Sequence, residues 1–228
     1  MGRLDGKVAI VTGAGSGFGA GISKRFAAEG CKVLVCDINN TGGEATAATS
    51  PSTLSFHKMD VTKSADWKST LSTCLEKFGR CDILVNNAGW SYTNKPTTDV
   101  TEEEFERVFD VNVKGVYLGC NAWVNQAIER KEGGKGAVWN ATKGLAAEYG
   151  QHQIRVNSIC PLVTGTGLFS AFTGMQDTPE NRQKFIGNVP MGRIGEVEDV
   201  VNACVFMASE EAKFITGVNL EVDGGRCI

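Results

Sequence analysis

The chain has 228 residues, 42% hydrophobic and 21% charged, with 23 Lys and Arg against 26 Asp and Glu and a formal net charge of −3, which fits one compact domain able to bury a sizeable core. No basic block marks it for nucleic acid or an anionic membrane, no apolar run reaches the ~20 residues that cross a bilayer, and the opening MGRLDGKVAIVTG lacks a signal-peptide layout, so a cytoplasmic location is expected. Eight cysteines form no CxxC pair and the two histidines, His57 and His152, have no second ligand at metal spacing, a pattern that predicts small buried thiols and neither a disulfide frame nor a metal.

Short β-branched runs alternate with longer helical patterns, the mark of βαβ units and of a parallel sheet buried on both faces. In chain order the pattern predicts a strand at 8–12, a helix at 17–29, a strand at 32–37, a helix at 42–49, a strand at 53–60 and a helix at 65–78. It continues with a strand at 82–86, a long helix at 102–129, a helix at 136–149, a strand at 155–160, a helix at 197–209 and a last strand at 217–222. Thr101 and Glu104 make a capping box ahead of the long helix, and Gly133-Gly134 ends it. The stretch 162–190, rich in Gly, Thr and Pro, is the one long irregular segment, as lids and binding loops are. The expected architecture is a Rossmann-type, doubly wound α/β sheet in a single domain.

The run TGAGSGFG at 12–19 follows the first strand and opens a helix. Glycines there permit a tight turn and let backbone approach a pyrophosphate held at the helix N-terminus. Such a turn is a weak signal alone, but the next strand, KVLVCD, ends in Asp37, eighteen residues after Gly19, near where a dinucleotide fold needs an acid for its ribose. The phosphate loop GxxxxGK[ST] is absent, which disfavours an ATPase or GTPase. Asp37 accepts hydrogen bonds from a free 2′-hydroxyl and repels a 2′-phosphate, and Ser16 in the turn brings no positive charge. NAD is therefore expected in preference to NADP.

At this point the chain resembles the short-chain dehydrogenase/reductase family over nearly its whole length. The carrying residues are Thr12, Gly13, Gly17 and Gly19 of the TGxxxGxG turn; Asp60-Val61 after the third strand; Asn86-Asn87-Ala88-Gly89 after the fourth; Asn112; Arg155-Val156-Asn157; Pro161 and Thr166 of a PGxxxT-like segment, with Leu162 where the family has glycine; and Asp223-Gly224-Gly225. The resemblance implies an NAD(H)-dependent exchange between a secondary alcohol and a ketone, in a homotetramer or homodimer. It implies cofactor contacts from Thr12, Gly13, Gly15, Ser16, Gly17, Phe18, Gly19, Asp37, Ile38, Asp60, Val61, Asn87, Ala88, Gly89, Lys135, Pro161, Val163 and Thr166. The implied catalytic set is a tyrosine acid/base, a lysine that lowers its pKa, a serine and an asparagine, of which Asn112 and Lys135 match here.

The tyrosine and serine do not match. A phenol needs a nearby ammonium to act as a base at neutral pH, so Tyr-x-x-x-Lys should share one helix face. Yet the residues four places after Tyr92, Tyr117 and Tyr149 are Pro96, Asn121 and Gln153, and no serine lies between Ser91 and Ser158. Lys135 stands 20 positions before Arg155, the family's separation of lysine and RVN, whereas Lys143 stands only 12 before it. The 23 residues from Asn112 to Lys135 are too few for the rest of the helix, a fifth strand, the serine loop and the tyrosine turn. A cut between Gly134 and Lys135 is expected, removing roughly two dozen residues that include a strand of ~5–6. Either the complete enzyme carries a stretch that these 228 residues omit, or the chain is a catalytically silent dinucleotide binder or internal-deletion variant acting as scaffold or subunit. The chain as written is expected to be inactive.

Other residues keep two readings each. Asn112 either serves catalysis or kinks its helix, Thr166 contacts the cofactor or caps a turn, and Phe169, Phe172, Trp90 and Tyr92 either touch substrate or fill a core. The 162–190 loop carries no charged cluster, which favours a small neutral alcohol or carbonyl substrate.

Overall fold

The computed structural model describes residues 1–129, 139–164 and 169–227. Four parallel strands, β1 (Val8–Thr12), β2 (Lys32–Asp37), β3 (Leu54–Lys58) and β4 (Ile83–Val85), form one sheet in the order β3-β2-β1-β4. Successive side chains on a strand point to opposite faces, and both faces here are apolar. Val8 and Ile10 of β1, Leu34 and Cys36 of β2 and Leu84 of β4 enter one core layer. Ala9 and Val11, Val33 and Val35, and Ile83 enter the other. That explains why these strands read as unbroken apolar runs.

Helices cover each face. The second layer is closed by α1 (Gly17–Ala28), which buries Gly19, Ile22, Ser23 and Phe26 at helical spacing, and by α9 (Val197–Ala208), which contributes Val201, Val205 and Ala208. The first is closed by α3 (Ser64–Phe78), through Trp67, Leu71 and Cys74, and by α5 (Gly115–Glu129), through Trp123, Val124 and Ala127. Gly79, with φ of 81°, takes the left-handed position that ends α3. The shorter α2 (Asn40–Ala47) lies between β2 and β3 in the chain, and α6 (Trp139–Tyr149) adds Ala146 to the first layer.

Two strands stand apart. β5 (Ser158–Pro161) and β6 (Asn219–Val222) pair in parallel, Ser158 opposite Asn219 and Pro161 opposite Val222. Among the described residues no ladder joins this pair to β4. The two sheets nevertheless share both core layers, because α9 packs on β5 as well as on α1, and Ile154 and Val156, just before β5, lie in the cluster that holds Leu84.

The structure corrects several element boundaries: the strands expected at 155–160 and 217–222 begin at Ser158 and Asn219, and the helix expected at 42–49 runs Asn40–Ala47. The helix expected at 102–129 is divided into α4 (Glu102–Phe109) and α5 by a π-helical turn at Asp110–Lys114. The expected irregular stretch contains α7 (Phe169–Thr173) and α8 (Pro179–Ile186), the latter started by the Thr178 cap and Pro179. The strand expected at 53–60 stops at Lys58, because Asp60 and Thr62 turn the chain toward α3. The Gly133-Gly134 stop and the proposed cut after Gly134 lie outside the described residues. All eight cysteines are free thiols.

Candidate active site

The chain turns one way from β1 to β2 and crosses back to place β4 on the other side, so a crevice opens beyond the carboxyl ends of β1 and β4. The glycine turn sits in that crevice. Gly13 has φ of 61° and Gly17 φ of 51°, values that disfavour a Cβ. A Cβ on Gly13 would lie 2.7 Å from Ala88 Cα, and one on Gly19 2.3 Å from the Gly13 carbonyl oxygen. Ser16 begins α1 in an extended conformation without a side-chain cap, which leaves the first amides of the helix open to an anion.

Thr12 and Asn87 lock this turn to the end of β4. The Thr12 hydroxyl accepts the amides of Asn87 and Ala88 at 3.1 and 3.0 Å, while the Asn87 side chain donates to the carbonyls of Thr12 and Gly13 at 2.9 and 3.2 Å. Thr12 and Gly19 lie behind the turn. Gly13, Gly15, Ser16, Gly17 and Phe18 line the cleft, as do Asn87, Ala88 and Gly89.

Two carboxylates stand on the rim. Asp37 ends β2 and accepts the Gly15 amide at 2.8 Å through one oxygen and the Asn39 amide at 2.8 Å through the other. This fixes it beside Ile38, which is exposed in the cleft. Asp60 accepts the Thr62 amide at 3.0 Å and its hydroxyl at 2.8 Å. Partial burial pushes the Asp60 carboxyl up, but the Thr62 bonds and Lys63 outweigh it and hold it below its ordinary value. Val61 lines the wall next to it, its carbonyl held by Trp67 Nε1 at 2.9 Å.

At the other end of the cleft, Asn112 lies in the π-helical turn. Its side chain accepts the Trp90 amide and donates to the Trp90 carbonyl, both at 2.8 Å. Asn112 is therefore a positioning residue that pins the loop after β4. Trp90 and Tyr92 both line the cleft, and Asn94 ties the same loop to α7 through the Ala171 carbonyl, 2.8 Å, and the Phe172 carbonyl, 3.3 Å. The two lid phenylalanines divide: Phe169 is fully buried against Phe185, whereas Phe172 faces the cleft and is 54% exposed. Arg107 of α4 also lines this end, its guanidinium 4.4 Å from the centre of the Trp90 ring. Sequence reasoning missed Asn94 and Arg107, since neither sits in a motif.

Some expected contacts lie elsewhere. Pro161 ends β5 and Val163 packs against the small core around Phe169 and Phe185, and neither lines the cleft. Lys135 and Thr166 lie outside the described residues. Lys143 is exposed on α6, away from the cleft. Arg155 and Asn157 are structural: Arg155 donates to the carbonyls of Met207, Ser209 and Ile215, and Asn157 to that of Ile215. Asp223 closes the turn after β6 by accepting the amides of Gly225 and Cys227. Among the described residues no group of His, Cys, Asp or Glu could hold a metal ion, and no helix is long and apolar enough to cross a membrane.

The cleft measures about 1490 Å³, above the ~300–1,000 Å³ usual for one small ligand, so it has room for a dinucleotide and a second molecule. A glycine cradle that a Cβ would fill, an open helix start and a rim carboxylate fit the pyrophosphate and ribose of a nicotinamide dinucleotide.

Comparison with known proteins agrees with this geometry. The family model for short chain dehydrogenase matches residues 7–134, and that for Enoyl-(Acyl carrier protein) reductase matches residues 131–226. The chain is 39% identical to the 4-formylbenzenesulfonate dehydrogenase of Comamonas testosteroni over 260 aligned residues, 99% of this chain and 100% of the relative. It is 34% identical to the galactitol 2-dehydrogenase of Agrobacterium fabrum, covering 98% of each. Among solved structures it superposes on a 3-ketoacyl-(acyl-carrier-protein) reductase from Brucella melitensis complexed with NADH, with a TM-score of 0.89, 35% identity and coverage of 99% of this chain and 100% of that one.

Proposed function

This chain belongs to the short-chain dehydrogenase family, and from that premise we propose an NAD(H)-dependent oxidoreductase that interconverts a secondary alcohol and a ketone, whose catalytic serine and tyrosine lie in a segment absent from these 228 residues. The observation that carries the cofactor reading is the rim carboxylate of Asp37, held by two backbone amides beside the glycine cradle. A 2′-phosphate there would meet negative charge. Among the described residues neither Lys24, which lines the cleft from α1, nor Lys58, which stands opposite Asp37 on β3 and does not line the cleft, forms an ion pair with Asp37. NAD is therefore favoured over NADP.

When bound, the nicotinamide supplies the hydride that passes to or from carbon. The chain's own residues do the rest. Gly13, Gly15, Ser16 and Gly17 with Phe18 form the phosphate cradle, Thr12 and Gly19 shape it from behind, and Asp60, Val61, Asn87, Ala88 and Gly89 form the wall. Asn112 holds the Trp90 backbone and so sets the substrate end. Lys135 is proposed to hold the nicotinamide ribose and depress the tyrosine's pKa in the complete protein, with Thr166 at the nicotinamide side.

Three observations support an absent segment. An alignment of 260 positions against 228 residues leaves at least 32 with no residue of this chain opposite. The two family models meet at residues 131–134, where the count to RVN puts the cut. Among the described residues, the buried side-chain atoms without a hydrogen-bond partner are Trp123 Nε1 and both amide ends of Gln126, all on the helix that leads into it. Residues 1–228 form one cytoplasmic domain in this reading. It assembles as a homotetramer or homodimer, with Phe105, Phe109, Val113 and Tyr117 an exposed apolar stripe available for subunit contact.

Fluorescence titration of the 228-residue protein with NADH and NADPH tests the cofactor reading. NADH should bind the more tightly, and NADPH proving the tighter ligand would overturn it. The second reading, a silent dinucleotide binder, is favoured by the missing Tyr-x-x-x-Lys. Intact mass of the protein as its natural source makes it separates the two: a mass above that of the 228 residues supports the enzyme, and a mass equal to it supports the silent chain.

A further inference from the structure

We propose that Arg107 is the anion anchor of the cleft's substrate end, so that the substrate is a small carbonyl or alcohol carrying one planar oxyanion, a carboxylate, on a flat apolar body. The inference rests on reading the cleft as a joint cofactor and substrate site, and it revises the expectation of a neutral substrate, which came from the 162–190 loop alone.

The first observation is a charge left over. Of the acids on its own helix and the π-helical turn, Glu104 pairs with Lys95 at 2.6 Å and Asp110 with Lys114 at 2.9 Å, while Glu103 and Glu106 form no ion pair among the described residues. Arg107 itself makes no ion pair among the described residues, yet it lines the cleft.

The second is orientation. The guanidinium lies 4.4 Å from the Trp90 ring centre, within cation–π reach. A guanidinium packed on a ring keeps donors at its edge for a planar, two-oxygen acceptor. Its platform is rigid, because Asn112 clamps both backbone groups of Trp90 at 2.8 Å.

The third is the surrounding wall. Trp90, Tyr92 and Phe172 line the same end, and Asn94 holds the α7 backbone that carries Phe172 in place. Aromatic faces suit a flat, apolar body. One unpaired guanidinium matches one negative charge, and among the described residues the other cation beside these rings, Lys95 over Tyr92, is already paired with Glu104.

The test compares 4-acetylbenzoate with 4-acetylbenzamide, equal in shape and different in charge, by calorimetric titration of the NADH-saturated 228-residue protein. The carboxylate should bind about tenfold more tightly than the amide, as one charge-assisted pair implies. Arg107→Ala and Arg107→Gln should each abolish that preference while NADH affinity stays as it was. Equal affinity of the two ligands for the unaltered protein, or an undiminished preference in both variants, would overturn the assignment with the cofactor reading left standing. Failure of NADH to bind at all would remove the cofactor reading and this inference with it.

Discussion

Glycine at 19 and aspartate at 37 do their work through contacts too close for other side chains. A Cβ at position 19 would sit 2.6 Å from Asn87 Nδ2 as well as against the Gly13 carbonyl, so Gly19→Ala should push the clamp apart. The expected result is a loss of about 1–3 kcal/mol in stability and a marked weakening of NADH binding, read by denaturant unfolding and cofactor titration. Asp37→Ala should narrow the affinity gap between NADH and NADPH, because the charge that repels a 2′-phosphate is gone. A gap that stayed the same would remove Asp37 from the discrimination. These two residues were legible in the sequence, since a glycine turn after a strand and an acid at the end of the next are both spacing signals. The role of Asn112 was not, because its partners are backbone groups of Trp90, 22 residues earlier, and a backbone partner leaves no mark in residue type. Arg107 was equally hidden: a helix full of charges gives no hint of which one lacks a mate.

Among the elements, the strands before residue 90 and the helices α1, α3 and α9 follow directly from apolar periodicity. The division of the long helix at Asp110–Lys114 did not show, because a π-helical turn inserts its extra residue without Gly or Pro to announce it. The short α7 was equally silent, being five residues held by docking rather than by propensity. α9 offers a direct test of an element's start. Asp199 accepts the Glu196 amide at 2.8 Å and two Arg193 nitrogens at 2.6 and 2.7 Å. The Arg193 bonds and then the Glu196 amide lower its carboxyl from an ordinary 3.8 to about 2. A carboxyl depressed in the folded state stabilises above its unfolded pKa, and that contribution fades as pH falls from near 4 toward 2. Asp199→Asn should cost about 1 kcal/mol at pH 7, allowing for solvent screening of a surface pair. It should show a smaller fall in stability between pH 4 and pH 2 than the unaltered chain, as measured by urea unfolding across that range. Equal acid sensitivity of the two would mean that Asp199 does not hold the helix start.

On the scale of the whole molecule, the two sheets share their core layers, and no ladder joins them among the described residues. Ile83 and Leu84 are each only 3% exposed, yet among the described residues β4 pairs with β1 alone. Buried backbone groups left unpaired cost ~1–3 kcal/mol each, against a domain stability of ~5–15 kcal/mol. The buried side-chain atoms without a partner, Trp123 Nε1 and the Gln126 amide, carry a cost of the same kind. Motif order made the fold class readable from the sequence, and counting between motifs exposed the short interval between Asn112 and Lys135. No residue pattern could show how the remaining strands would arrange around it. Placing the corresponding segment of the Comamonas relative between Gly134 and Lys135 should raise the melting temperature by several degrees, and an unchanged or lowered value would argue that the sheets need no further strand. The most direct test follows NADH consumption with aryl ketones by the 228-residue chain and by the same chain carrying that segment. The 228-residue chain should bind NADH and turn over nothing, while the completed chain turns over and loses most of kcat on Lys135→Ala but not on Lys143→Ala. Turnover by the 228-residue chain at the rate of the completed one would contradict the account, because the acid/base would then lie among residues already present.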